Sequence, residues 1–135
     1  MSEDGLVTVA SRHPVNETLD RLEAAVKAAG ITVFARIDHA AGAASVGMAL
    51  RPTAVLIFGN PKGGTPLMQA RQAIGLDLPL KMLAFEDEGG RTWLTYTDIG
   101  WLAHRYGLGA ETAPAVAALG KVLATFAARA AGEGA

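Results

Sequence analysis

The sequence of 135 residues contains no cysteine. Disulfide bonds, thiolate catalysis and cysteine-ligated zinc are therefore excluded. Only three histidines are present, and none has the HxH or HExxH spacing of a metal site, so we expect no bound metal. Aromatic residues are scarce at 6%, but half of the chain is apolar and 19% is charged, which argues against a disordered protein.

An excess of charge of one sign is also missing. The chain carries 12 basic and 13 acidic residues, a net charge of -1, and no basic run, so we expect no nucleic-acid partner. The start, MSEDGLVTVA, has no cationic segment before an apolar core and is not typical of a signal peptide. The strongly apolar runs are shorter than a membrane span. These features predict a soluble cytoplasmic protein without a membrane partner.

The length fits one domain covering residues 1–135, with an ordered core over about 6–130. The spacing of apolar residues predicts strands over 6–11, 31–38, 54–58, 80–86 and 91–98. It predicts a helix from Asn16 to Gly30, a short helix within 39–51, and another from Thr65-Pro66 to near Gly75. A further short helix within GWLAHRYGL ends at Gly107, and a long helix runs from about Thr112 to Arg129. The order favours an α+β fold with one curved, mainly antiparallel sheet and helices on one face. A parallel doubly wound sheet is the alternative, and the hairpin and the terminal helix weigh against it.

The segment TAVLIFGNPKGGTPLM (53–68) raises the question of a nucleotide-binding loop. Gly59 and Gly64 have the separation of the phosphate-binding motif, but the lysine required after Gly64 is replaced by Thr65. No G-x-G-x-x-G fingerprint occurs either, so we expect no nucleotide cofactor, and no other cofactor is indicated.

A weaker possibility is an anion site at the same segment. If a helix begins at Thr65, the backbone of Gly63, Gly64 and Thr65 offers N–H donors at its positive end, and Lys62 adds a charge. The alternative is that the glycines only permit a turn while Lys62 is solvated.

The clearest hairpin joins LKMLAFE to RTWLTYTD through a loop at 87–90. With that loop, Lys81 faces Tyr96, and Asp98 lies on the same face by the two-residue period of a strand. These three side chains form either an internally satisfied network or polar anchors in a ligand pocket.

FARIDHA (34–40) is predicted to place Phe34, Arg36 and Asp38 on one face of a strand, with His39 at its end. Asp38 and His39 are the candidate acid–base groups, since histidine titrates near neutrality. The alternative is that Asp38 caps a helix and His39 is an ordinary surface residue.

Taken together, the blocks FARIDHAAGA (34–43), LRPTAVLIFGNPKGGTPLM (50–68), LDLPLKMLAFEDEGGRTWLTYTD (76–98) and WLAHRYGL (101–108) resemble the domain of unknown function 302 family of bacteria and archaea. The resemblance implies a TATA-binding-protein-like fold and a homodimer, and it implies neither DNA binding nor an established activity. One departure is His104-Arg105-Tyr106-Gly107, where the family often shows Arg-His-Gly, which puts a role for that histidine in doubt.

Three hypotheses follow for the function. The first is a homodimeric module that binds a small anionic or amphipathic ligand. Its polar contacts would be Arg36, Lys62, Gly63, Gly64, Thr65, Lys81, Tyr96 and Asp98. The second is an enzyme using Asp38 with His39, or Lys81 with Asp98, for acid–base chemistry. The third is a structural or regulatory dimer without a ligand.

Overall fold

The computed structural model describes residues 4–132. Its strands are β1 (Leu6–Ser11), β2 (Thr32–Asp38), β3 (Thr53–Gly59), β4 (Leu80–Glu86) and β5 (Thr92–Thr97). They form one open sheet in the order β1-β5-β4-β3-β2, and every neighbouring pair is antiparallel. The predicted α+β class with a single antiparallel sheet is confirmed.

The helices are α1 (Val15–Ala28), α2 (His39–Ser45), α3 (Pro61–Ala70), α4 (Ile99–Arg105) and α5 (Ala113–Ala131). Two 3₁₀ turns, Gln72–Asp77 and Ala110–Thr112, follow α3 and precede α5. The predicted order of strand, helix, four strands with helical inserts and a final long helix is therefore correct. Helix α1 begins at Val15, one residue earlier than predicted, with Pro14 at the N-cap position and no side chain capping it.

The core lies between the sheet and the pair α1 and α5. Ala54, Leu56 and Phe58 alternate along β3 on the helix-facing side and are at most 3% exposed. Phe58 meets Phe126 of α5 edge to face, with ring centroids 5.8 Å apart. From α1, Leu19 and Leu22 are fully buried in the same cluster. Burial of each such side chain contributes roughly 1.5–3 kcal/mol, so this layer holds both helices on the sheet.

The opposite side of the sheet, called here the open face, carries the other half of each strand. By register and alternation its residues are Thr8, Ala35, Ile37, Val55, Ile57, Lys81, Leu83, Phe85, Trp93 and Thr95. Most of these side chains are only partly buried, and Ile37 is 43% exposed. These strand residues are mainly apolar, and Lys81 is the one charged residue among them. At the hairpin end of the face, Arg91 and Asp87 lie against Trp93.

One helical stretch among residues 4–132, Ala110–Ala131, has the length and apolar composition of a membrane span. The expectation that no segment reaches that length was therefore too strong. By itself the match is weak, since the core helix of a soluble protein also meets these criteria. Here the stretch buries Leu123, Phe126 and Ala130 in the core.

The hairpin register differs from the prediction by one residue. Leu83 pairs with Thr95 and Phe85 with Trp93, because the loop between β4 and β5 has five residues rather than four. Asp87 closes this loop with its amide, which donates to the Arg91 carbonyl at 2.8 Å. A slip of one residue moves a side chain to the other face of the sheet.

The start of α3 is also earlier than predicted. The helix begins at Pro61, and the Asn60 side chain caps it by accepting a hydrogen bond from the Lys62 amide at 3.0 Å. Pro66 lies inside the helix rather than at its start, and the helix ends at Ala70 instead of near Gly75. Gly63 and Gly64 of GNPKGG thus belong to the first turn of α3 and not to a loop, and Gly59 ends β3.

Candidate functional site

A cleft of about 560 Å³ lies between α3 and α5 and is called here the α3–α5 cleft. Its walls come from α3, α5, the segment 75–80 and the end of β3 next to β2. The lining residues are Ile31, Phe34, Gly59, Asn60, Pro61, Lys62, Gly63, Gly64, Thr65, Met68, Gly75, Leu78, Pro79, Leu80, Ala115, Ala118, Leu119 and Val122. Apolar side chains dominate this set, and Lys62 is its one charged member.

Glycines shape the wall that α3 contributes. A Cβ atom on Gly63 would lie 2.9 Å from Cδ2 of Leu119, and one on Gly64 would lie 3.4 Å from Cδ1 of Leu78. Farther along, a Cβ on Gly75 would lie 3.2 Å from the Met68 sulfur. The missing side chains let α3 approach its neighbours closely. GNPKGG therefore contributes to an apolar cleft rather than to a phosphate loop.

The predicted backbone donors for an anion are already used within α3. The amides of Gly63 and Gly64 both donate to the Asn60 carbonyl, at 2.9 and 3.2 Å, and the Lys62 amide donates to the Asn60 side chain. Thr65 lies inside the helix and not at its start. The hypothesis of a backbone anion site at Gly63, Gly64 and Thr65 is therefore wrong as stated, because those donors are not free.

The side chains of Lys62 and Thr65 remain exposed at the cleft. Across residues 4–132, no carboxylate lies within ion-pair distance of the Lys62 ammonium. The charge of Lys62 is therefore available to a ligand.

The predicted cluster of Lys81, Tyr96 and Asp98 is not formed. The shifted register places Lys81 on the open face with Leu83, while Tyr96 faces the helices and is 9% exposed. Burial raises the pKa of Tyr96, and the charge of Asp98 adds to the rise. Asp98 itself caps α4, where it accepts a hydrogen bond from the Gly100 amide at 3.0 Å. None of the three lines the α3–α5 cleft.

Asp38 and His39 have the positions expected if Asp38 caps a helix and His39 is a surface residue. Asp38 caps α2 and accepts a hydrogen bond from the Ala41 amide at 2.9 Å. His39 is the exposed first residue of that helix. The carboxylate therefore holds a helix end.

Arg36 connects the sheet to α1 and lies away from the cleft. Its guanidinium contacts Asp20 at 2.7 Å and Glu23 at 3.6 Å and donates to the Asn16 carbonyl at 3.1 Å. A hydrogen bond from Lys27, followed by the charges of Lys27 and Arg36, lowers the pKa of Glu23. The strand pairing shifts between Val33 and Ala35, and Phe34, which lies at this irregularity, lines the cleft beside α5.

One polar cluster was missed by sequence reasoning. The Tyr106 hydroxyl donates a short hydrogen bond to Asp77, which raises the pKa of Tyr106. Arg105 lies 3.7 Å from the same carboxylate, and Arg71 donates to the Tyr106 carbonyl at 2.9 Å. These bonds fix the segment after α3 to the end of α4, and so they hold one wall of the cleft. No spacing in the sequence indicates this cluster.

No cluster of metal-binding side chains is found in the part of the chain that the structure describes. Residues 4–132 contain no set of three or more His, Asp or Glu side chains placed to hold a metal ion.

Comparison with known proteins gives a family, a fold and a set of relatives. The model of the family described as "Domain of unknown function DUF302" matches residues 7–126. The crystal structure of the uncharacterized conserved protein DUF302 from Bacillus stearothermophilus superposes with a TM-score of 0.82, covering 93% of this chain and 98% of that one. At 22% identity, this match supports the fold alone.

Three curated relatives from Brucella species are 51% identical over 117 residues, which is 87% of this chain. They are "Fluoride-specific ion channel FluC 1" of Brucella suis biovar 1 and of Brucella abortus biovar 1, and "Fluoride-specific ion channel FluC 2" of Brucella melitensis biotype 1. The match covers 46% of the first and 43% of the others. This chain therefore spans less than half the length of these relatives.

Proposed function

This chain belongs to the domain of unknown function DUF302 family, and on that premise we propose that it binds a small apolar or amphipathic molecule in the α3–α5 cleft. One observation carries the proposal, a preformed cleft of about 560 Å³ walled by apolar side chains. Ligand pockets typically measure about 300–1,000 Å³ and combine apolar walls with a few polar groups. Lys62 supplies such a group at this cleft.

The distribution of perturbed groups favours binding over acid–base catalysis. Displaced pKa values gathered in a cleft indicate chemistry, whereas apolar walls with one polar contact indicate binding. Within residues 4–132, the groups with displaced pKa values are Glu23, Asp87, Tyr96 and Tyr106, and none of these four lines the cleft. A role as a binding module is therefore preferred to the enzyme hypothesis.

We propose a second copy of the chain as the partner of the open face. Sheets pack face to face through apolar side chains about 10 Å apart. Val55, Leu83, Phe85 and Trp93 provide such a surface. Lys81 is the second residue of β4 and therefore lies near one end of this face, away from Phe85 and Trp93. The dimer leaves the α3–α5 cleft free, since the two surfaces share no residue.

We do not extend fluoride conduction from the Brucella relatives to this chain. More than half of each relative lies outside the match. Within residues 4–132, the stretch with the length of a membrane span buries Leu123, Phe126 and Ala130 in the core, although only 22% of its most apolar part is buried.

The binding proposal is tested by native mass spectrometry of freshly purified protein, followed by denaturing extraction of released small molecules. We expect either a copurified small molecule or an added apolar dye to bind, with one site per chain. Ala118→Phe fills the cleft from an exposed position of α5 and should abolish binding. Ala117→Phe is the matched control, because Ala117 is exposed on the same helix and does not line the cleft. Equal dye binding by both variants would contradict the proposal.

A further inference from the structure

We infer that the cleft takes a single-chain amphiphile with one anionic head group, a carboxylate or a phosphate, and that Lys62 contacts this head. The inference rests on the proposed function of the α3–α5 cleft and adds the chemical class of its ligand. Three observations support the inference, namely the volume of the cleft, its aliphatic walls and the charge of Lys62, which is unpaired within residues 4–132.

The size of the cleft limits the ligand to one hydrocarbon chain. A water-sized group takes roughly 30 Å³ in a liquid. A cleft of about 560 Å³ therefore holds fewer than about twenty non-hydrogen atoms at that packing. A single acyl chain fits this limit, and the two chains of a membrane phospholipid exceed it.

The walls suit a flexible aliphatic chain. Met68, Leu78, Leu80, Leu119 and Val122 line the cleft, and Phe34 is its one aromatic side chain. Ligands built on flat ring systems gain most from stacking on several aromatic groups. Aliphatic walls instead give non-directional apolar contact, which a flexible chain matches along its whole length.

The sign of the head group follows from Lys62. It is the one charged side chain of the lining, and across residues 4–132 no carboxylate neutralises it. Asn60, another polar member of the lining, already uses its side chain to cap α3. A cationic or uncharged head group gains no ion pair with Lys62.

Another basic cluster does not compete for this role. Arg71 donates to the Tyr106 carbonyl, and Arg105 lies against the Asp77 carboxylate. That carboxylate also accepts a hydrogen bond from the Tyr106 hydroxyl. That cluster is satisfied within the protein, whereas Lys62 is not.

The first test measures dissociation constants of delipidated full-length protein for straight-chain carboxylates of increasing length. Matched alcohols, alkyl phosphates and alkylammonium ions are compared at each length. We expect affinity to rise about fourfold per added methylene, until the cleft is full and the gain stops. Carboxylates and alkyl phosphates should bind roughly two- to fivefold tighter than the alcohols, and alkylammonium ions should bind weakest. Intact diacyl phospholipid vesicles should not compete.

The second test reverses the charge with Lys62→Glu. We expect the variant to prefer alkylammonium ions over carboxylates, the reverse of the wild-type order. Lys121→Glu is the matched control, since Lys121 is an exposed lysine of α5 outside the cleft lining, and it should keep the wild-type preference.

The outcomes separate the two levels of the proposal. If no alcohol, carboxylate, phosphate or dye binds, the proposed function itself is overturned. If alcohols bind as tightly as carboxylates and Lys62→Glu changes no preference, the cleft binds ligands and only the inference about an anionic head is overturned. Tight competition by diacyl vesicles would overturn the single-chain limit.

Discussion

Asp87 organises the β4–β5 hairpin through a single carboxylate. One oxygen accepts hydrogen bonds from the amides of Gly89 and Arg91, both at 2.9 Å, and the other accepts from the Trp93 indole at 2.8 Å. The guanidinium of Arg91 lies over the Trp93 ring at 4.7 Å. The indole hydrogen bond and the Arg91 amide lower the pKa of Asp87 below its ordinary 3.8. This residue therefore favours the fold in its ionised form.

Replacing Asp87 by Asn should destabilise the protein at pH 7. An amide has one accepting oxygen, and its NH₂ group would face the indole donor of Trp93. A lowered folded-state pKa gives stability that is present above the unfolded value of about 3.8 and is lost as pH falls through the folded value. The difference in urea midpoint between wild type and variant should therefore shrink between pH 5 and pH 2. A difference that stays constant over this range would contradict the prediction.

At the scale of elements, the helix caps differ in what they hold. Asp98 caps α4, whose Ile99 and Leu102 are at most 4% exposed. Asp38 caps α2, a helix that buries no residue. The same hydrogen bond therefore secures a core element in one case and a surface element in the other.

We predict that Asp98→Ala lowers the free energy of unfolding by about 1 kcal/mol, the usual cost of losing an N-cap. Asp38→Ala should change global stability by less than about 0.5 kcal/mol, as surface changes do. Its effect should instead be faster hydrogen exchange of the α2 amides. Urea denaturation and hydrogen exchange measure the two effects. Equal global losses for both variants would show that α2 contributes to the core.

Helix α3 shows why part of the candidate site could not be read from the sequence. Asn60-Pro61 and Thr65-Pro66 both have a capping residue followed by proline. The second pair is the predicted start of the helix, since threonine caps a helix and proline fits its first turn. The structure begins the helix at Pro61, where Gly63 packs against Leu119 of α5. Gly63 and Leu119 are far apart in the sequence, so no pattern near Gly63 predicts this contact.

The hairpin shows the same limit for strand register. Element order followed from periodicity and was correct, but a loop of five residues instead of four reversed the faces of β4 relative to β5. Lys81 and Tyr96 were therefore assigned to one site although they lie on opposite sides of the sheet. By contrast, Lys62, which is predicted from the sequence as a ligand contact, lines the cleft. Lys62 could be named without knowing the strand register, because its charge lies beside the glycines in the sequence. The cleft that it lines is visible only in the structure.

At the scale of the whole molecule, the open face determines the oligomeric state we expect. Ile37 lies on this face and is 43% exposed, whereas Leu76 is 80% exposed in the 3₁₀ turn after α3. Both are large apolar side chains at the surface, but only Ile37 belongs to the proposed dimer contact.

We predict that Ile37→Glu converts the dimer to a monomer, because each copy would place an unpaired charge in the apolar contact. Leu76→Glu is the control and should leave the dimer intact. Light scattering after size-exclusion chromatography measures the mass, and circular dichroism verifies that both variants fold. A wild-type protein that is monomeric at micromolar concentration would contradict the dimer proposal.

The pairing of β1 with β5 has a consequence during synthesis on the ribosome. The hydroxyls of Thr8 and Thr95 meet at 2.9 Å across 87 positions of sequence. At roughly 5–20 residues per second, the first strand waits about four to seventeen seconds for its neighbour to be translated. During that interval β1 has no native neighbour in the sheet, whereas α1 can already pack on β2 and β3. The edge strand β1 therefore joins the sheet last, only after β5 has been made.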